Sequence, residues 1–218
     1  MSSGEAPASL VWYAAYGSNL RRERFSCYLC GGHPDGAGRT YAGCRDPAPS
    51  RAEGSIRFPG RIVFGGESTV WTGGMAFVDP SGLGEVAART YLITLGQFSD
   101  VVAQEIRQIP GRDIPMAVAR HGGRHGLGSG RYDTVLKVGV RDGLPVLTIT
   151  AADLPEPAPP ADAYLWSMAD GLHATFDFDQ AAFADYLSPA PGIDGEWTRE
   201  RLLALAGRPS LVDDPAPR

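Results

Sequence analysis

Residues 12–20, Trp-Tyr-Ala-Ala-Tyr-Gly-Ser-Asn-Leu, put a strand, a tight turn and a helix start into nine positions. The apolar, aromatic run stops abruptly at Gly17-Ser18-Asn19, and an Arg-rich, helix-compatible segment follows from Leu20 to Leu29. Ser18 and Asn19 both suit a helix N-cap. Gly17 lets the backbone bend sharply or approach another atom closely. A turn of this kind leaves several backbone N–H groups unpaired and aimed one way. It can hold a carboxylate or a developing oxyanion. From the physics of the turn alone, an ordinary strand-to-helix connection explains it equally well.

Bulk properties narrow the partners. A chain of 218 residues, 43% hydrophobic, is long enough for one globular domain with a full core. The net charge of -5, with arginines scattered among acidic residues, points away from nucleic acid and anionic membranes. No segment has the apolar length of a bilayer span. Residues 1–9 lack the basic and apolar regions of a secretory signal, so a cytoplasmic location is expected. Three cysteines, an odd number, argue against a disulfide-built scaffold.

Along the chain, the pattern predicts disordered tails over 1–9 and 207–218 and a single domain over 10–206. Strands are expected at Leu10–Tyr16, Arg61–Phe64, Met75–Asp79 and Val86–Ile93. Tyr132–Val140 and Leu144–Thr150 flank Arg141-Asp142-Gly143, which reads as a hairpin with a tight Asp-Gly turn. Helices are expected at Arg21–Cys30, Gln97–Ile109, Ala163–Leu172, Gln180–Leu187 and Glu196–Ala206. Residues 33–60 read as a long irregular excursion and 110–130 as a mobile, glycine-rich loop. Strands first and helices last imply an α+β fold with a mostly antiparallel, mixed or barrel-like sheet.

The helix expected over 97–109 carries an anomaly. At about 100° per residue, Phe98, Val101, Val102, Ile106 and Ile109 share one face, and Glu105 falls inside that arc. A carboxylate on a core-facing stripe is costly to bury unless something pairs with it. Burial raises its pKa and makes it a usable general base and acid. The plain alternative is an ion pair with a buried arginine such as Arg61 or Arg131.

Tyr13-Ala14-Ala15-Tyr16-Gly17-Ser18-Asn19-Leu20 resembles the YxxYGSNL signature of the gamma-glutamylcyclotransferase family, whose loop forms the floor of the substrate site. Further segments resemble that family in order. They are Trp71-Thr72-Gly73-Gly74-Met75-Ala76, the strand Tyr91-Leu92-Ile93 with a helix bearing Gln104-Glu105, and the helix start from Pro160 to Tyr164. The chain departs from the family pattern at Ile106 and Arg112, where many members have Gly and Tyr. The resemblance implies a gamma-glutamyl cyclotransferase-like α+β fold and a small-molecule γ-glutamyl substrate. It implies Glu105 as general acid/base, with Tyr16, Gly17, Ser18, Asn19, Leu20 and Tyr164 binding the substrate. The implied reaction is attack of the substrate's α-amine on its γ-carbonyl, releasing 5-oxoproline and a free amine. No metal or other cofactor is required, and the protein would act as a monomer or homodimer. A non-catalytic module that keeps the same pocket is the alternative, as is hydrolysis or transfer of the same γ-amide.

Two other clusters bear on metals. Cys27, Cys30, His33 and Cys44 have the residue types of a zinc site, but Cys27 and Cys30 fall in a helix-compatible run, which favours small buried cysteines. His121 and His125 have helical metal-ligand spacing, but Gly122 and Gly123 between them make that helix improbable.

Overall fold

The computed structural model describes residues 9–33, 39–68, 70–115, 117, 123–128 and 130–209. Residues 1–8 and 210–218 of the two expected tails, and His121 of the histidine pair, lie outside them. The first strand, β1 (Leu10–Ala15), is central. It pairs antiparallel with β5 (Glu85–Thr94) on one side and parallel with β8 (Leu144–Thr150) on the other. β2 (Ala52–Pro59) adds to β5, while β7 (Thr134–Arg141) and then β6 (Arg124–Gly126) add to β8. The sheet order is therefore β2-β5-β1-β8-β7-β6, antiparallel at every pairing except β1–β8.

The expected α+β class and mostly antiparallel sheet are present, but the barrel-like closure is not. β3 (Arg61–Gly65) and β4 (Met75–Asp79) form a separate two-stranded sheet. It meets β8 through the Thr150 hydroxyl, which donates to Val78 O and accepts from Val78 N–H, rather than through a strand ladder. No strand among the described residues joins β2 to β6, so the large sheet keeps two edges.

β1 is apolar throughout because both of its faces are covered. Trp12, Ala14 and Tyr16 belong to one core, with the helices α3 (Asp162–Phe176), α4 (Gln180–Leu187) and α5 (Arg199–Ala206). Val11, Tyr13 and Ala15 belong to the other, with α1 (Arg22–Cys30) and α2 (Leu95–Glu105). The period-2 alternation of a strand thus divides one apolar run between two cores.

Three expectations need correction. The 33–60 excursion contains β2, an edge strand whose Gly, Ser and Pro conceal its alternation and whose partner is distant β5. The expected helix over Gln97–Ile109 runs instead over Leu95–Glu105. Thr94 caps it by accepting from Gln97 N–H, while the Gln97 side chain returns to Thr94 N–H. It stops at Glu105 because Arg107 takes a left-handed φ of 62°, which turns Ile109 out to 91% exposure. The 110–130 loop includes the short strand β6, which holds His125 opposite Val135. The hairpin turn is as expected, with Asp142 and Gly143 at φ 53° and 74°. Gly207 closes α5, and the exposed Arg208 donates to Asp162.

Gly171 of α3 lets that helix lie against the chain entering α1, where a Cβ would collide with Leu20. Gly171→Ala is expected to destabilise the fold by about 1–3 kcal/mol through overpacking. The urea midpoint of unfolding, at unchanged slope, is the measurement that checks it.

Candidate active site

The two faces of β1 part at its C-terminal end, and the cleft opens there. Tyr16 turns toward the α3 side and donates its hydroxyl to Ile149 O at 2.6 Å. After Gly17 the chain makes one 3-10 turn, Ser18–Leu20, in which Leu20 N–H donates to Gly17 O at 2.9 Å. Gly17 is needed for close approach, since a Cβ there would stand 2.7 Å from the Tyr164 hydroxyl oxygen. That hydroxyl also accepts from Ala76 N–H at 3.1 Å, and so ties α3 to β4 beside the turn. Tyr91 of β5 donates to Asn19 O at 2.8 Å and fixes the turn from below.

Ser18 and Asn19 hold groups of opposite charge. The Asn19 Nδ2 donates to Glu105 Oε1 at 3.1 Å, bridging 86 residues of sequence. The Ser18 Oγ accepts from Arg24 Nε at 2.8 Å. Arg24 is 5% exposed, donates through Nη2 to the Tyr41 hydroxyl at 2.6 Å, and lies 4.7 Å from the Trp71 ring centre. Its Nη1 has no hydrogen-bond partner among the described residues.

Glu105, the last residue of α2, is half-buried in the wall of the cleft. Burial pushes its carboxyl pKa above the ordinary carboxylate range. The Tyr28 hydroxyl, the Arg24 guanidinium, the Asn19 amide and Arg39 oppose that rise without cancelling it. No arginine forms a close ion pair with Glu105 among the described residues, and Arg61 pairs with Asp79 instead. Burial likewise raises the Tyr164 hydroxyl to about 12, so it is a neutral hydrogen-bonding group at physiological pH. Tyr13 is raised further, by burial first and then by Glu105.

These groups line one cleft of about 700 Å³, counted out to its open mouth. Tyr16, Gly17, Ser18, Asn19, Tyr164 and Glu105 all lie along it. Leu20 does not: it is fully buried and packs into the core against α3, because the 3-10 turn swings its side chain away from the cleft. Arg24, Tyr28, Tyr41, Trp71 and Tyr132 also line the cleft, and none was among the expected site residues. For Arg24 and Tyr28 a signal existed, since their i, i+4 spacing places them together on one face of α1. Tyr41 had none, because it reaches the site by a bridge to Gly32 within an otherwise irregular segment.

The three thiols do not converge. Cys27 donates to Glu23 O, Cys30 to Pro47 O, and Cys44 to Tyr28 O and Gln97 O. No group of His, Cys, Asp and Glu side chains suited to a metal ion occurs among the described residues. Among those residues no helix is long and apolar enough to cross a membrane.

No protein-family model matches the chain. A curated relative, Histone deacetylase 5 of Arabidopsis thaliana, is 44% identical over 101 residues, or 44% of this chain. The matched segment is 15% of that protein's length. Among solved structures, the chain is similar to one described as a gamma-glutamyl cyclotransferase, with a TM-score of 0.49 and 19% identity. That match covers 77% of this chain and 81% of the other. An uncharacterized protein from Homo sapiens matches with the same values. YkqA from Bacillus subtilis has a TM-score of 0.44 at 15% identity, over 76% of this chain and 49% of its own. Sequences this divergent carry no residue roles across, so the roles assigned below rest on the cleft itself.

The raised pKa of Glu105 has a stability consequence of definite sign. The folded state holds the Glu105 proton more tightly than the unfolded chain, whose ordinary value is about 4.5. Stability therefore falls as pH rises from that value through the raised folded pKa, and the full cost of the buried charge is present above it. Glu105→Gln is expected to be more stable than the parent at about pH 8, with the advantage shrinking toward pH 4.5. Urea midpoints of both proteins across that range check the prediction.

Proposed function

We propose that this chain is a cofactor-independent cyclotransferase acting on γ-glutamyl compounds. The observation that carries the proposal is the 3.1 Å contact between Asn19 and Glu105, which sets a carboxyl of raised pKa on the same cleft as the Gly17-Ser18-Asn19 turn. A γ-glutamyl substrate carries an α-ammonium that must lose a proton before it can react. Glu105 takes that proton. The neutral amine attacks the γ-carbonyl, a new C–N bond closes the five-membered ring, and the carbonyl oxygen becomes an oxyanion. Collapse breaks the original γ-amide C–N bond: the leaving nitrogen takes the proton held by Glu105, the ring nitrogen gives its second proton to the carboxylate so freed, and that proton passes to the departing amine, which leaves as its ammonium. The products are 5-oxoproline and a free amine. A group that accepts a proton and then returns it works best with a pKa near the operating pH, which is the direction in which burial moves Glu105.

Ring closure is intramolecular, so the cleft's main work is to fold the glutamyl chain into a near-attack shape. Tyr16 and Tyr164 wall the cleft, and the backbone at Gly17–Asn19 faces the reacting carbonyl or the α-carboxylate. The Tyr164 hydroxyl lies beside that backbone as a neutral donor, suited to a developing negative charge.

The experiment is incubation with γ-glutamyl substrates and identification of the product by mass. Release of 5-oxoproline is expected, and Glu105→Gln is expected to lower kcat by about 10²–10⁴-fold while leaving the fold intact. Free glutamate as the product would replace ring closure with hydrolysis. Binding without any turnover would mark a non-catalytic module, and unchanged turnover in Glu105→Gln would remove the base.

A further inference from the structure

Arg24, Tyr41, Tyr28 and Glu105 are hydrogen-bonded in series. The Arg24 Nη2 donates to the Tyr41 hydroxyl at 2.6 Å. The Tyr41 and Tyr28 hydroxyls stand 3.3 Å apart, and either can be the donor, because each carries one rotatable proton. Their rings lie against each other with centres 4.2 Å apart. The Tyr28 hydroxyl is in turn hydrogen-bonded to the Glu105 carboxylate. Arg24, Tyr28 and Tyr41 are each at most 5% exposed, so they rely on one another rather than on bulk water for partners. Proton transfer as written above uses neither phenol.

Counting protons gives the series a direction. A guanidinium only donates, so one lone pair of the Tyr41 oxygen is taken by a cation. A hydroxyl that accepts from a cation is polarised, and its own proton becomes the better donor. Tyr41 therefore donates to Tyr28, which leaves the Tyr28 proton for Glu105. The reverse order would spend that proton on Tyr41 and withdraw it from the carboxylate. We propose that Tyr28 is a positioning residue for Glu105, turned toward the carboxylate by Tyr41, whose hydroxyl is oriented by the buried Arg24. Arg24 thus acts on the base at one remove. A direct ion pair would hold the carboxylate as a permanent anion, whereas a neutral phenol favours the anion only modestly. The inference rests on Glu105 being the acid–base group of the proposed reaction and adds how its proton affinity is set. The other ionisable groups near Glu105 do not interfere. Burial holds the phenols of Tyr13 and Tyr16 on the β1 side, Tyr132 before β7 and Tyr164 of α3 above their ordinary value. Arg24 and Arg39, as guanidinium groups, keep their charge at any working pH.

The test reads the Glu105 proton directly. The infrared carbonyl band of the protonated carboxyl is titrated in the parent, Tyr28→Phe, Tyr41→Phe and the double variant, each against the same protein carrying Glu105→Gln. Tyr28→Phe removes a donor to the carboxylate, so the midpoint should rise by about one pH unit. Tyr41→Phe should raise it by less, because Tyr28 keeps its proton and loses only the neighbour that directs it. The double variant should match Tyr28→Phe alone, since Tyr41 acts through Tyr28. In the cyclotransferase assay the acid limb of kcat/KM should move to higher pH in the same order. A role in packing alone lowers the amount of folded protein and leaves the midpoint in place. An unmoved midpoint in either single variant, or shifts that add in full in the double, overturns the proposal. If no 5-oxoproline forms and the midpoints move as expected, the cyclotransferase reading fails and the positioning of Glu105 by Tyr28 stands.

Discussion

The structure depends on one strand being buried on both faces. β1 alternates its side chains between two separate cores, and each core recruits its own helices. At the C-terminal end of β1, residues of the α1–α2 layer, of α3 and of the small β3–β4 sheet line one cleft. A cleft forms there because no single element can continue both faces. Each layer then contributes a different chemistry: the carboxyl comes from α2, the guanidinium from α1, and a neutral phenol from α3.

The turn after β1 converts this meeting of layers into an electrostatic site. Two adjacent side chains, Ser18 and Asn19, engage a cation and an anion held in partly buried surroundings. Such groups interact more strongly there than in water, and fixed dipoles do not have to reorganise as charge moves. Neither Arg24 nor Glu105 closes an ion pair with the other or with any described residue. Both retain capacity that folding alone does not use, at some cost to stability. Binding and proton-transfer sites commonly tolerate such a cost.

Much of this was legible in the sequence, for identifiable reasons. The strand, turn and helix around Gly17 depend on local chemistry, and the apolar stripe of α2 exposes Glu105 as an exception by periodicity alone. The Asp142-Gly143 hairpin follows from two left-handed positions. What failed to show were features decided by distant partners. β2 is a strand because β5 is there to pair with it. Tyr41 enters the site from a segment with no period of its own. The Leu20 assignment erred because neighbours in a turn need not point the same way, and one step along the 3-10 turn exchanges cleft for core. The open sheet was also hidden, since closure depends on whether the two edges meet and not on the composition of any strand.

The capping of α2 by Thr94 and Gln97 fixes where that helix begins, and the left-handed Arg107 fixes where it ends. Glu105 is thereby its terminal residue. The C-terminal end of a helix presents unpaired carbonyls and a partial negative charge, which favours cations and resists carboxylates. The backbone of α2 thus opposes ionisation of Glu105 in the same sense as burial does. Sliding the carboxyl toward the start of the helix would reverse that bias, even in an equally dry place. The end of the helix therefore acts as part of the acid–base group, and the left-handed turn at Arg107, by ending the helix there, places the carboxyl beside its unpaired carbonyls.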